Sequence, residues 1–172
     1  MPLSSRVHIP EQEGLLRTMP AALPDDSEMA VKLVTVFGKN PARGFPLIHS
    51  AVLVLDTENG QIKALMDGEV LTAVRTGAGV GAATELLAST DAVSVAIIGS
   101  GKQACSQLDA VCTVRSIRQA WVYSPNPEHA QNFVEKMSGV GPIPKDIQSV
   151  TSSAEAVKNA DIVCTATTSS TP

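Results

Sequence analysis

Aromatic residues are scarce: one Trp, one Tyr and three Phe in 172 residues. Five rings spread along the chain (Phe37, Phe45, Trp121, Tyr123 and Phe133) cannot supply the stacking surface of a base-binding platform. Cysteine is almost as rare. Cys105, Cys112 and Cys164 are odd in number and show no CxxC spacing, which excludes a disulfide framework and a zinc site. They read as buried or free thiols of a reducing, cytoplasmic compartment. Charge is sparse too, at 17% of residues with a formal net charge of −4, and Lys and Arg nowhere cluster. Nucleic acid is therefore an unsuitable partner. No apolar run approaches the length of a membrane span, and the polar N-terminus lacks a signal-peptide core. What is present is a 44% apolar chain with abundant Ala, Val and Gly. It can bury a core and is long enough for one ordinary domain or two small or incomplete ones.

The chain divides near its middle. Residues 1 to about 66 read as β-rich. Residues 30–37 (AVKLVTVF) and 50–55 (SAVLVL) are β-branched runs. The second meets residues 61–66 across DTENG, where Asn59-Gly60 signals a hairpin turn. GKNPARGFP, residues 38–46, carries the punctuation of a loop. From Asp67 the pattern changes. Val70, Val74, Ala78 and Leu86 recur at helical spacing, with Asp67 placed to cap and Glu69 in the first turn, so residues 67–88 predict a connecting helix. After residue 91 strands and helices alternate: AVSVAII, KQACSQLDAVCTV, QAWVY, PEHAQNFVEKM, a weak segment near Ile147, SAEAVKNA and DIVCTA. Ser152 and Glu155 have capping-box spacing. Alternation with short links predicts a parallel α/β sheet.

Two copies of G-x-G-x-x-A occur. Gly77, Gly79 and Ala82 follow LTAVRT, a helical stretch with no strand to feed them. Small residues at helical spacing read there as a surface for close approach of another element. Gly99, Gly101 and Ala104 in GSGKQA differ, because they follow the strand VSVAII and open a helix. That is the context of a dinucleotide-binding turn. Gly99 permits the tight turn, Gly101 leaves out the Cβ that would block a pyrophosphate, and Ala104 keeps helix and strand close. Free N–H groups at the helix start then face the phosphates. In NAD-binding turns an acid at the end of the second strand accepts from the ribose 2′-OH. Here that place holds Ser124, followed by Pro125 and Asn126, with no Lys or Arg at once to attract a 2′-phosphate. The choice between NAD and NADP stays open.

VKLVTVF, NPARGFP and HSAVLVLD, then MDGEVLTAVRTGA, VAIIGSGKQA and ADIVCTATTSSTP, occur in the order and at the spacing of one family. From about Arg6 to Pro172 the chain resembles the ornithine cyclodeaminase/mu-crystallin family. The resemblance implies an α/β protein with two incomplete domains. Residues 1–88 would form part of a β-rich substrate and dimerisation domain ending in the connecting helix 67–88. Residues 89–172 would form part of a Rossmann-like, parallel-sheet nucleotide domain. It further implies an NAD- or NADP-dependent oxidoreductase of small amino or imino acids, homodimeric in full-length form. Ornithine cyclodeamination, alanine dehydrogenation and reduction of cyclic ketimines such as pyrroline-2-carboxylate are the activities of such chains.

Arg6 matches the family arginine that grips the substrate carboxylate, and Lys32 the lysine at the reacting end. Arg75 matches the arginine shared by carboxylate and nicotinamide, with Thr76 beside the cofactor. Lys102, Gln103, Ser124, Asn126, Thr165 and Thr167 match cofactor-contacting places, alongside Gly99, Gly101 and Ala104. Read without the family, Arg6 and Lys32 are solvated charges and Arg75 an ion-pair partner on a helix face. The residue types suit the chemistry: arginine forks bind carboxylates bidentately, and a lysine beside a C=N carbon can move a proton. No metal is implied.

Three positions depart from the family pattern. Leu47 stands where a small hydroxyl residue is usual. Arg17 stands where the ornithine-converting branch has a glutamate, which argues against ornithine itself. Ser124 replaces the acid of the NAD-preferring branch. Family chains also continue well past residue 172, so the resemblance implies a truncated member. A chain cut after its fourth nucleotide-domain strand is expected to expose the DIVCTA edge, to fold marginally or aggregate, and to turn over little. The competing expectation is a non-catalytic, mu-crystallin-like binder of small ligands or an inactive fragment.

Overall fold

A computed structural model describes residues 4–23, 25–167 and 169. The chain splits into two compact units, Met1–Thr72 and Ala73–Pro172, and the division falls inside a helix.

The first unit is one antiparallel sheet whose five strands follow chain order: β1 (Ser5–Ile9), β2 (Gly14–Ala22), β3 (Glu28–Phe37), β4 (Ile48–Asp56) and β5 (Ile62–Asp67). β3 and β4 contain the two β-branched runs. The turn between β4 and β5 is held by Asp56, whose Oδ1 accepts from the backbone N–H of Glu58 at 2.8 Å. Asn59 Oδ1 in turn accepts from Gln61 at 2.8 Å, so the Asn-Gly signal marks a real hairpin. β2 gives no such signal, because Pro20 sits within it. Among the described residues β1 pairs with β2 as far as Thr18, and Pro20 faces Val31 of β3.

Helix α1 (Gly68–Leu87) begins as the sequence predicts, with Asp67 Oδ1 accepting from Glu69 N–H at 2.7 Å and Val70 N–H at 3.2 Å. Its packed face differs from the expected one. Val70, Val74, Ala78 and Leu86 are exposed, whereas Gly77 is buried and Gly81 lies against Ala110 of the next helix. The helix ends under Arg115, whose guanidinium donates to the carbonyls of Thr84, Glu85, Ala88 and Ser89 at 2.9–3.0 Å.

The second unit alternates β6 (Ser94–Ile98), α2 (Lys102–Val114), β7 (Gln119–Tyr123), α3 (Pro127–Met137), β8 (Ile147–Ser149), α4 (Ser153–Val157) and β9 (Ile162–Thr165). Its sheet is parallel with spatial order β8-β7-β6-β9. Numbered within this unit, that order is 3-2-1-4, the first four strands of the doubly wound dinucleotide fold. Val95, Ile97, Leu108, Val111 and Val122 form its fully enclosed centre, joined by Phe133, Met137 and Ile147. The Ser152–Glu155 cap is only half of the expected box. Ser152 Oγ accepts from Glu155 N–H at 3.1 Å, but the Glu155 carboxylate turns to the N–H and hydroxyl of Thr151.

Candidate functional site

In the second unit Gly99–Ala104, Ser124, Asn126, Thr165 and Thr167, though not Arg75 and Thr76, lie at or just after the carboxyl ends of β6, β7 and β9. Gly99 directly follows β6. Its N–H donates to the Tyr123 carbonyl at the end of β7 at 2.8 Å, and Ala166 N–H donates to the Ile98 carbonyl at 2.8 Å. The backbone of Gly99 has φ +113°, and a Cβ there would meet the Ala166 carbonyl oxygen at 2.4 Å. Both facts require glycine. Gly99 therefore closes the loop against the segment after β9, which brings Thr165 and Thr167 beside it. The gap between β6 and β9 is where strand order reverses, the place at which open α/β sheets bind ligands.

Gly101 serves differently. Its φ is −83°, so conformation does not demand glycine, and nothing lies within 4 Å of where a Cβ would project. The missing side chain leaves open space at the start of α2, and no side chain caps that terminus. The first N–H groups of Lys102, Gln103 and Ala104 thus form the positive end of a thirteen-residue helix. Ala104 is fully buried against the core, holding the helix to the sheet. A pyrophosphate fits this cradle.

Ser124 follows β7 and is buried, at the place expected to face a ribose. Asn126 is the N-cap of α3, and its Oδ1 accepts from Glu128 N–H at 3.0 Å. Its oxygen is engaged in that cap. Arg75 and Thr76 lie on α1, Arg75 exposed and Thr76 half-buried. Thr76 Oγ1 is shielded from solvent and has no hydrogen-bond partner. Such an atom is commonly satisfied by a bound group.

In the first unit, Arg6 is on β1 and Lys32 on β3. Lys32 Nζ donates to Thr72 Oγ1, and that hydroxyl donates to the Gly68 carbonyl. The chain of bonds fixes the ammonium at the point where the sheet hands over to α1. Thr72 is a residue that sequence reasoning missed. Its signal was its place one turn before Thr76 in TAVRT, but its pairing with Lys32 depends on a sheet register that spacing does not reveal. The Ala166 carbonyl facing Gly99 was missed for the same reason.

The cysteines are chemically quiet. Burial pushes the Cys112 thiol up to about 12 and the Cys164 thiol up to about 11, and it raises Cys105 as well. Neutral thiols are poor nucleophiles. Among the described residues no group of three His, Cys, Asp or Glu side chains could hold a metal, and no helix is long and apolar enough to cross a membrane.

Known proteins resemble this chain in sequence and in fold. Over 171 residues the chain is 33% identical to a Δ1-pyrroline-2-carboxylate reductase of Bacillus cereus, covering 99% of this chain and 52% of the relative. It is 30% identical to the ketimine reductase mu-crystallin of Mus musculus, covering 99% and 53%. The solved Thermococcus litoralis Δ1-pyrroline-2-carboxylate reductase, in complex with NADH and L-proline, superposes with a TM-score of 0.89 at 41% identity. That match covers 97% of this chain and 51% of the other. The chain spans about half the length of the curated relatives it matches. Together with the parallel sheet and its glycine turn, these likenesses place it by descent: the chain belongs to the ornithine cyclodeaminase/mu-crystallin family, whose sequence model matches residues 1–172.

Proposed function

We propose that the protein acts as an NAD(P)-dependent oxidoreductase of small amino or imino acids, in the manner of a cyclic ketimine reductase. The observation that carries this reading is the Gly99–Gly101 turn: a glycine-only backbone at Gly99, at the strand switch point, followed by an open, uncapped helix start at Gly101. When bound, the reduced nicotinamide supplies a hydride to the C=N carbon. The chain's own residues do the rest. The N–H groups of Lys102, Gln103 and Ala104 bind the pyrophosphate, and Ser124 and Asn126 lie toward the ribose. Thr165, Thr167 and Thr76 offer hydroxyls around the dinucleotide. Arg6 and Arg75 hold the substrate carboxylate through their planar forks. Lys32, oriented by Thr72, delivers a proton to the imine nitrogen or takes it back in the oxidative direction.

Ser124 lacks the charge that would repel a 2′-phosphate, so the reading covers both NAD and NADP. It carries with it a substrate part over residues 1–88, a nucleotide part over 89–172, a homodimeric whole protein and a cytoplasmic location. Titration of NADH fluorescence against the purified chain tests the reading. Binding is expected, Gly101→Val is expected to abolish it, and Gly79→Val in the other glycine motif is expected to leave it intact. Equal loss in two variants with unchanged circular dichroism would overturn the assignment.

A further inference from the structure

The register of the first sheet places two arginines side by side. Arg6 on β1 is the cross-strand partner of Arg17 on β2. Arg17 faces Val34 on β3, and two residues along, Met19 faces Lys32. Alternate residues of a strand share a face, as do cross-strand partners. Arg6, Arg17 and Lys32 therefore project from the same face of one sheet. Like charges directly opposite one another destabilise a sheet, with Cβ atoms only about 4.5–5.5 Å apart. No carboxylate among the described residues forms an ion pair with either arginine. Lys63 on β5 pairs instead with Glu28 and Asp56. Arg17 Nε is moreover shielded from solvent without a hydrogen-bond partner. A buried donor on a permanent cation is costly to leave unmade.

We propose that Arg17 is a specificity residue for a second anionic group, so that the preferred substrate is a dicarboxylate: an acidic 2-imino or 2-amino acid. The inference rests on the oxidoreductase reading above. Arg6 holds the carboxylate next to the reacting carbon, and Arg17 holds the distal one. A short diacid spans the interval between adjacent strands and neutralises both forks. A monocarboxylate neutralises one and leaves the Arg17 Nε unsatisfied. An ammonium at the far end of the substrate would meet Arg17 as a like charge.

Calorimetric titration of the full chain, saturated with NAD+, tests this with L-glutamate as the dicarboxylate probe and L-proline as the monocarboxylate. Glutamate is expected to bind roughly ten- to hundredfold more tightly than proline, the range of one charge-assisted contact. Arg17→Gln is expected to remove that preference and leave proline affinity unchanged, while Arg6→Gln weakens both. If Arg17→Gln weakened the two ligands equally, the arginines would be gripping a single carboxylate and the inference would fail. It would fail too if the unsubstituted chain showed no preference, or bound neither amino acid, while still taking up NADH. Loss of NADH binding itself, with Gly101→Val no different from the parent chain, would instead condemn the oxidoreductase reading and the inference with it.

Discussion

The two units solve the problem of burying apolar surface in opposite ways. In the second, helices α2, α3 and α4 pack on the parallel sheet, and Val95, Ile97, Leu108, Val111 and Val122 are completely enclosed. In the first, five antiparallel strands form one layer, and Val52 is the single buried apolar side chain among the described residues. β3 is apolar on both faces yet only half-buried along nearly its whole length. Backbone ladders and cross-strand pairs thus carry the cohesion of the first unit, and enclosed side chains that of the second. The glycine turn of the second unit is anchored to a close-packed core through Ala104, whereas Arg6, Arg17 and Lys32 of the first stand on a thin sheet whose register sets their spacing.

The sharpest way to break this contrast is to remove equal volumes from each unit. Leu108→Ala deletes a side chain with 0% exposure and is expected to cost about 2–5 kcal/mol. Leu65→Ala deletes one that is 70% exposed and is expected to change stability by no more than about 0.5 kcal/mol. Urea unfolding measures both. Trp121, the lone tryptophan, lies on β7 and reports the second unit, while far-ultraviolet circular dichroism follows the sheet of the first. Equal costs at the two positions would show that the first unit hides a core of its own.

A smaller effect separates two glycines of one motif. A Cβ on Gly77 would lie 2.6 Å from the backbone oxygen of Ser106, so α1 and α2 could not keep their approach. Gly77→Ala is expected to cost about 1–3 kcal/mol through overpacking. Gly79 has nothing within 4 Å, and Gly79→Ala is expected to stabilise the helix by up to about 1 kcal/mol. The sequence read both as spacers for close approach; Gly77 is one, Gly79 is not, and Gly81, not one of the motif's fixed positions, lies against Ala110.

That difference illustrates what could be read in the chain and what could not. α2, β7 and α3 begin and end where their sequence patterns do, because glycine, proline and the Asn126 cap punctuate them locally. The cradle was equally legible, since a glycine turn after a strand is a local signal. β1 and β2 were not individually legible. β1 alternates only over Arg6–Ile9, Arg17 and Pro20 interrupt any alternation in β2, and the turns that pair β1 with β2 and β2 with β3 carry no Asn-Gly signal. The expected apolar face of α1 misled for a related reason. Periodicity identifies a stripe of Val and Leu, but the helix packs through glycine, whose lack of a side chain lets backbones meet.

The gentlest probe of the contrast is acid, because each unit holds carboxylates by different means. In the second, Asp161 Oδ2 accepts from the Ser94 hydroxyl at 2.6 Å and from the N–H groups of Val93 and Ser94 at 3.0 Å. The Ser94 hydroxyl first, then the Val93 N–H, hold its carboxyl below the usual range. In the first, the Lys63 ammonium lies 3.0 Å from Asp56 and 3.1 Å from Glu28 and lowers both, while Asp56 and Glu28 raise Lys63. A carboxyl lowered on folding stabilises fully above its unfolded value, about 3.9 for Asp and 4.3 for Glu. That stabilisation is lost as the pH falls through the lower folded value. A raised lysine stabilises below its unfolded value of about 10.4 and loses this as the pH rises through the folded one. Asp161→Asn should therefore destabilise the second unit at neutral pH, with the gap closing as acid protonates the parent chain. Its effect on Trp121-detected unfolding should barely respond to salt, because short hydrogen bonds to N–H groups are little screened. Lys63→Met should flatten both the acid and the alkaline limbs of the circular-dichroism transition. Its smaller effect should vanish in 1 M sodium chloride, where screening shortens to about 3 Å. A Lys63→Met effect that survived high salt would mean that this exposed cluster stabilises the thin sheet by packing of the lysine stem rather than by charge.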